Sequence, residues 1–200
     1  EIASFLVALS KKGETALEIA ALASVMRSFA IPVRAPQDAF MDNCGTGGDG
    51  SDSFNISTAS SFVLAGAGAK VAKHGNRKIS SAAGSSDVLE ALGIRLDFSS
   101  DEITSLLEQE GLAFIFAPRA HPKMKRIGAI RQRIGKPTIF NLVGPLTNPI
   151  PLKTQFIGIS RPEFTMEYAS VLRMLGMDRA IVVSGANGMD EASLAGQNSF

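Results

Sequence analysis

Apolar positions recur along this chain in two rhythms, and the change from one to the other divides it. The first thirty residues have helical spacing. Residues 1–9 form an apolar helical piece with no start signal. Thr15 and Glu18 then make a capping box, in which hydroxyl and carboxylate satisfy each other's backbone N–H groups. Leu17, Ala21, Val25 and Phe29 follow at helical spacing. The second helix should stop near Pro32, and residues 33–40 read as a proline-interrupted linker.

Beyond the linker, short apolar runs alternate with amphipathic stretches. Residues 41–44 read as a strand end, and 69–72, 112–116, 138–143, 154–159 and 179–184 as strands. Between them lies a helix over 59–66, with Ser57 or Thr58 as its cap. Another is capped by Ser85 or Ser86 and closed by Gly93. Ser99 and Glu102 box a third, closed by Gly111. Pro122 opens a basic helix to Ile134, and Pro162 opens a helix that Gly176 closes. The alternation predicts an α/β fold with a mainly parallel central sheet. The chain divides into a small helical domain, 1–36, completed by helices around 118–135, and a larger α/β domain, 37–200.

Composition narrows the class. Of 200 residues, 45% are hydrophobic and 20% charged, as in a globular chain with a sizeable core. No apolar run approaches the roughly 20 residues that span a bilayer, so no membrane partner is expected. No basic leader opens the chain. The single cysteine, Cys44, cannot form an internal disulfide, which fits a cytoplasmic setting. Cys44 reads as a small residue ending a strand rather than as a nucleophile. The net charge is +1 but unevenly spread: no acidic residue lies between Glu110 and Glu163, where Arg119, Lys123, Lys125, Arg126, Arg131, Arg133, Lys136, Lys153 and Arg161 fall. That segment suits an anionic small molecule or a nucleic acid, and a solvated helix face accounts for most of its lysines.

The chemistry concentrates in residues 42–77. Gly45, Gly47, Gly48 and Gly50 let a backbone rich in N–H groups approach an anion. Asn55, Ser57 and Thr58 add donors at a helix start, where phosphate is favoured. Lys73, His74, Asn76 and Arg77 then supply a cationic loop. The run Gly45-Thr46-Gly47-Gly48-Asp49-Gly50 fits the dinucleotide fingerprint literally, but no acid lies between Asp52 and Asp87, where that fingerprint wants one. A P-loop would need Gly-Lys-Ser/Thr, which is absent. Asp49 inside the loop would repel a bare phosphate, so it should serve a metal, a ribose hydroxyl or the turn. After the last strand, Asp190 and Glu191 form a hard oxygen pair suited to Mg²⁺ beside substrate phosphates.

In this order and spacing, G-T-G-G-D-G, N-I-S-T and K-H-G-N-R resemble the anthranilate phosphoribosyltransferase family of tryptophan biosynthesis. Residues 80–93, F-A-P-R-A-H-P (116–122), F-N-L-V-G-P-L-T-N-P (140–149) and G-M-D-E (188–191) extend the resemblance over essentially the whole chain. The resemblance implies a helical domain and an α/β domain with the site between them. It implies Mg²⁺-dependent transfer of phosphoribosyl from phosphoribosyl pyrophosphate to the amine of anthranilate, in a cytoplasmic homodimer paired through the helical domain. The donor would be held by Gly45, Gly48, Asp49, Ser53, Asn55, Ile56, Ser57, Thr58, Lys73, His74, Gly75, Asn76, Arg77, Ser80, Ser81 and Ser85. Gly45, Asn76 and Arg131 would meet anthranilate, and Ser57, Asp190 and Glu191 would serve magnesium. No residue is singled out as catalytic, and His74 could relay a proton or be structural. Chains of the family begin a few helices earlier and run past the acidic pair, so both domains are expected to be partial here. Two rival readings are a nucleoside phosphorylase of the same fold and a nucleic-acid-binding relative using residues 119–136. The intact donor cradle and acidic pair favour the transferase, and no nucleic-acid partner is expected.

Overall fold

The computed structural model describes residues 1–35, 40–51, 53–77 and 84–200. Helix α1 (Ile2–Lys12) is followed by α2 (Ala16–Ser28), whose capping box forms as expected: Thr15 N–H donates to Glu18 Oε2 at 2.9 Å, and Glu18 N–H to Thr15 Oγ1 at 3.3 Å. The apolar residues that give α2 its period do not face the core. Leu17, Val25 and Phe29 are 70%, 51% and 54% exposed, while Ile19, Ala20 and Ala23 are buried. The helix is apolar on two sides, and the side carrying Ile19, Ala20 and Ala23 meets the core.

The remaining elements alternate. In order they are β1 (Met41–Asp42), α3 (Ile56–Gly66), β2 (Val71–Gly75), α4 (Ser85–Ala91), α5 (Ser100–Gln109), β3 (Leu112–Phe116), α6 (Ala117–Ala120), α7 (Lys125–Ile134), α8 (Ile139–Val143), β4 (Thr154–Gly158), α9 (Thr165–Met174) and β5 (Arg179–Val183). Among the described residues the strands form one parallel sheet in the order β3-β2-β1-β4-β5.

Four expectations are corrected. Residues 138–143, read as a strand, form helix α8. Asn141 Oδ1 accepts the Thr138 N–H at 3.1 Å and closes the first turn, while Ile139, Leu142 and Val143 are buried at helical spacing. Helix α3 starts at Ile56 with Asn55 at its cap, so Ser57 and Thr58 sit inside the first turn. Ser85 and Ser86 likewise lie inside α4, whose cap is Gly84; its N–H donates to the Asp87 carboxylate at 2.8 Å. Strand β2 runs further than 69–72 and carries Lys73 and His74 into the sheet.

One apolar cluster joins Leu6 and Ile19 of the first helices to Leu142, Tyr168, Ile157 and Val182, so α1 and α2 share a core with α8, α9 and the β4–β5 side of the sheet. A second packs Ile103 and Leu107 of α5 against Ala72, Ala113 and Ile115. Asp42 is fully buried beneath the site. Its Oδ2 accepts Asn148 Nδ2 at 3.0 Å and the His74 N–H at 3.3 Å, and Asn148 Nδ2 also reaches the Ala72 carbonyl at 2.7 Å. Burial raises the Asp42 carboxyl to about 6, against the pull of the Lys73 charge and these donors.

A carboxyl whose folded pKa lies above its unfolded value costs stability as pH rises from about 4, its unfolded value, and the cost is complete above the folded value. Asn148→Ala removes a donor to the ionised form. It should destabilise the fold by about 2–4 kcal/mol, with the larger loss above pH ~6, in urea unfolding at pH 5 and pH 8. Equal losses at both pH values would assign the effect to the other bonds of Asn148, to the Ala72 carbonyl and from the Ile150 N–H.

Candidate active site

The strand order changes direction on either side of β1, and in parallel sheets ligands gather outside the carboxyl ends of strands at such a point. The segments leaving β1, β2 and β5 line a cavity of about 690 Å³ there, a size typical of small-molecule sites.

The segment after β1 is the glycine loop. Thr46 N–H donates to the Gly158 carbonyl at 2.9 Å, and Ser160 Oγ donates to the Gly47 carbonyl at 3.1 Å, so β4 anchors the loop's base. Gly47 and Gly50 have φ of 68° and 67°, which turn the loop where side-chain-bearing residues are strained. Asp190, from the segment after β5, accepts the Gly47 N–H at 2.5 Å through Oδ2. This approach needs bare backbone. A Cβ on Gly45 would stand 2.5 Å from Asp190 Oδ2, and one on Gly158 or Gly185 would collide with the carbonyl of Asp190 or Glu191.

Three carboxylates therefore crowd one end of the cavity. Burial, with Asp49 nearby, raises Asp190 to about 6. Burial and the Asp190 charge raise Glu191 to about 7, although Lys73 and the Ser57 N–H favour its ionised form. Asp49 Oδ1 accepts the Ser51 N–H at 3.3 Å, and its Oδ2 is buried with no partner among the described residues. Lys73 is buried beside them, its Nζ donating to Ser57 Oγ at 3.2 Å and to the Asn43 carbonyl at 3.4 Å. Among the described residues, no group of three His, Cys, Asp or Glu is placed to hold a metal ion alone.

At the other end, Arg131 of α7 donates from Nη2 to Asn141 Oδ1 at 3.2 Å and lies 5.4 Å from the Phe140 ring centre. The same oxygen caps α8, so the cap of one helix orients a cation on another. Misreading 138–143 as a strand hid Asn141, and no sequence signal pointed to Met26, which α2 brings to the wall. His74 is buried edge-on to His121, with ring centres 5.5 Å apart, and its Nε2 has no partner among the described residues. Burial pushes its pKa down to about 3. Burial pushes the Cys44 thiol up to about 12, which suits a packing residue and not a nucleophile.

The cavity brings together Gly45, Asp49, Ser53, Asn55, Ile56, Ser57, Lys73, His74, Gly75, Asn76, Arg77, Ser85, Arg131, Asp190 and Glu191. Gly48 and Thr58 do not line it: Gly48 is exposed, and Thr58 is buried within α3. Ser80 and Ser81 lie outside the described residues. Arg77 reaches the wall, but Glu90 holds its guanidinium through both Nη atoms, with Asp87 beside them.

Residues 37–200 match the family model described as "Glycosyl transferase family, a/b domain", and residues 1–30 match the helical bundle domain of the same family. The chain belongs to this glycosyl transferase family. It is 62% identical over 198 residues to the anthranilate phosphoribosyltransferase of Exiguobacterium sibiricum, covering 99% of this chain and 58% of that relative. It is 56% identical to the Bacillus cereus enzyme of that name, again covering 58% of it. Among solved structures, the anthranilate phosphoribosyltransferase of Thermus thermophilus superposes with a TM-score of 0.92 at 43% identity, covering 98% of this chain and 59% of that one. The Saccharomyces cerevisiae enzyme in complex with phosphoribosyl pyrophosphate and Mg has a TM-score of 0.92 at 32% identity, covering 98% and 56%. The chain thus spans somewhat over half the length of these glycosyl transferase relatives.

Because the folded pKa of His74 lies below the usual value, the ring is neutral at neutral pH, and its contribution to stability is lost as pH falls below about 6.5 toward its folded value. Nitrogen-15 spectra of the imidazole should show a neutral tautomer from pH 8 down to pH ~5. An imidazolium signal at pH 6 would overturn this and restore His74 as a candidate proton donor.

Proposed function

We propose that the protein transfers the phosphoribosyl group from phosphoribosyl pyrophosphate to the amine of anthranilate, giving N-(5-phosphoribosyl)anthranilate and pyrophosphate. The observation that carries this reading is that one cavity is lined by an amide-rich glycine loop, half-buried carboxylates and an oriented arginine. The names of the relatives support it over a phosphorylase or a nucleic-acid binder.

The donor end is matched to phosphate. The loop amides from Gly45 onward, Ser53, Asn55 at the start of α3 and the Lys73 ammonium would hold the pyrophosphate and ribose. Asp190, Glu191 and Ser57 would hold Mg²⁺. The fit rests on burial and neighbouring carboxylate charge raising both carboxyls, an effect a divalent cation offsets, and on Mg²⁺ sharing its shell with water and phosphate rather than needing a full protein cage. When bound, the ion would neutralise charge on the leaving group.

Arg131, fixed by Asn141, would take the anthranilate carboxylate with Asn76 and Gly45 nearby. In the reaction the bond from C1 to the pyrophosphate oxygen breaks, a bond from the anthranilate nitrogen to C1 forms, and the nitrogen loses one proton. Donors aimed at the departing phosphates stabilise the charge that develops there, so no strong base is needed. With its pKa lowered by burial, His74 stays neutral and is a poor proton acceptor, so no proton transfer is assigned to it. The setting is proposed to be cytoplasmic. A homodimer is proposed through the exposed apolar face of α1 and α2, where Phe5, Leu17, Val25 and Phe29 stand in water.

Anthranilate-dependent pyrophosphate release, abolished by chelating Mg²⁺, tests the reading. A folded protein that binds phosphoribosyl pyrophosphate but shows no anthranilate-dependent release would refute it for this chain. Arg131→Lys should raise the KM for anthranilate on the order of tenfold or more, because lysine cannot reproduce the guanidinium fork. Arg133→Lys should be nearly silent, since Arg133 is exposed on α7. Equal effects of the two changes would assign Arg131 to general basicity.

A further inference from the structure

Residues 144–147 form part of the cavity wall, and an unusual set of side chains holds their backbone. Three successive carbonyls, of Pro145, Leu146 and Thr147, are each engaged from elsewhere. The Gly144 carbonyl before them accepts Thr147 Oγ1 at 2.9 Å and the Thr147 N–H at 3.3 Å within the turn itself. The Pro145 carbonyl accepts Gln155 Nε2 at 2.6 Å, and the Thr147 carbonyl lies 2.8 Å from His121 Nε2. The Leu146 carbonyl accepts Arg27 Nε at 2.6 Å, across 119 residues of sequence. Irregular backbone at a wall keeps its shape only where its polar groups are satisfied, and here a strand, a helix and a loop share that task.

Arg27 differs from the other two. Gln155 is neutral, and burial lowers His121 toward its neutral form. Arg27 is a cation that burial depresses, and no carboxylate pairs with it among the described residues. One bond to a carbonyl could be supplied by a neutral donor, as Gln155 does one residue earlier. A half-buried guanidinium without a counter-ion is more than that one bond requires. Such costs are retained where a site uses them. Arg27 also comes from α2, and its neighbour Met26 lines the cavity.

We propose that Arg27 is a positioning residue for the acceptor: it fixes the 144–147 wall through the Leu146 carbonyl, and its uncompensated charge behind that wall favours an anionic acceptor in the cavity. This rests on the acceptor reading given above. Arg27 does not line the cavity and takes no part in bond making. Its effect should therefore fall on acceptor use and spare the donor, which is held at the glycine loop.

The test uses the whole chain with anthranilate as the probe, measuring direct anthranilate binding, steady-state constants for each substrate and the thermal midpoint. Arg27→Met should raise the anthranilate KM about tenfold or more, with kcat within about threefold and the donor's dissociation constant unchanged. Arg27→Lys, which keeps charge and a donor, should recover most of the loss. Arg27→Gln, which keeps a donor without charge, should still raise KM at least about threefold, and it carries the test if Arg27→Met does not fold. A wild-type chain that neither binds nor uses anthranilate would remove the acceptor reading and this inference together. A wild type that uses anthranilate, with variants that change only the thermal midpoint or shift the donor constant equally, would overturn the inference alone.

Discussion

The approach of the acidic segment to the glycine loop is the contact on which the site depends. Asp190 leaves the end of β5, which lies two strands from β1, and must cross the end of β4 to accept the Gly47 N–H. It can do so only because Gly45, Gly158 and Gly185, at the ends of three different strands, present bare backbone where a methyl group would collide. These glycines do not serve flexibility. They set how near a carboxylate may come to an amide nest, and therefore whether acids and phosphate-binding amides share one space.

That nearness has an electrostatic consequence. Burial, with the Asp49 charge beside it, raises the proton affinity of Asp190, and burial with the Asp190 charge raises that of Glu191, where buried Lys73 opposes the shift. Asn141, which caps α8, holds Arg131 separately at the other end. The cavity is thus polarised before anything enters, and its dipoles are fixed by helix caps and strand ends rather than by mobile side chains. In the proposed reaction this suits a step whose main demand is charge on a departing pyrophosphate, because fixed groups need no reorganisation as that charge develops.

Much of this could be read in the sequence, and the limits have physical causes. The capping boxes at Thr15 and Ser99 form as expected because a cap is a local bond between residues three apart. Strand β3 and the parallel sheet followed from apolar runs and their alternation with helices. Residues 138–143 were misread because a short apolar run fits strand and helix equally, and the deciding bond, from Thr138 N–H to Asn141, makes no mark on hydrophobic period. The outward face of α2 was opaque for a related reason: periodicity gives a stripe but not which side of a doubly apolar helix meets the core. The motifs marked both ends of the cavity, but they could not show that Arg77 is engaged by Glu90, or that α2 reaches the wall through Met26 and Arg27. Those are contacts between distant parts of the chain.

The distribution of unmet polar groups adds a last step. Asp49 Oδ2 and His74 Nε2 are buried on the cavity wall without partners among the described residues, and Asp42 Oδ1 lies just beneath. Each such atom costs on the order of 1–3 kcal/mol when left unbonded. In the core shared by α1, α2, α8 and α9 the Tyr168 hydroxyl donates to the Leu142 carbonyl at 2.5 Å. Buried Thr58, Thr138, Gln155 and Ser184 also carry a side-chain oxygen with no partner among the described residues, so the deficit extends beyond the cavity, and part of it lies on the cavity wall. A ligand with donors and charge of its own, such as a sugar carrying hydroxyls and a metal-bound pyrophosphate, would meet part of that deficit on binding. In that case affinity comes from relieving a cost already present in the folded chain, in addition to any new contact.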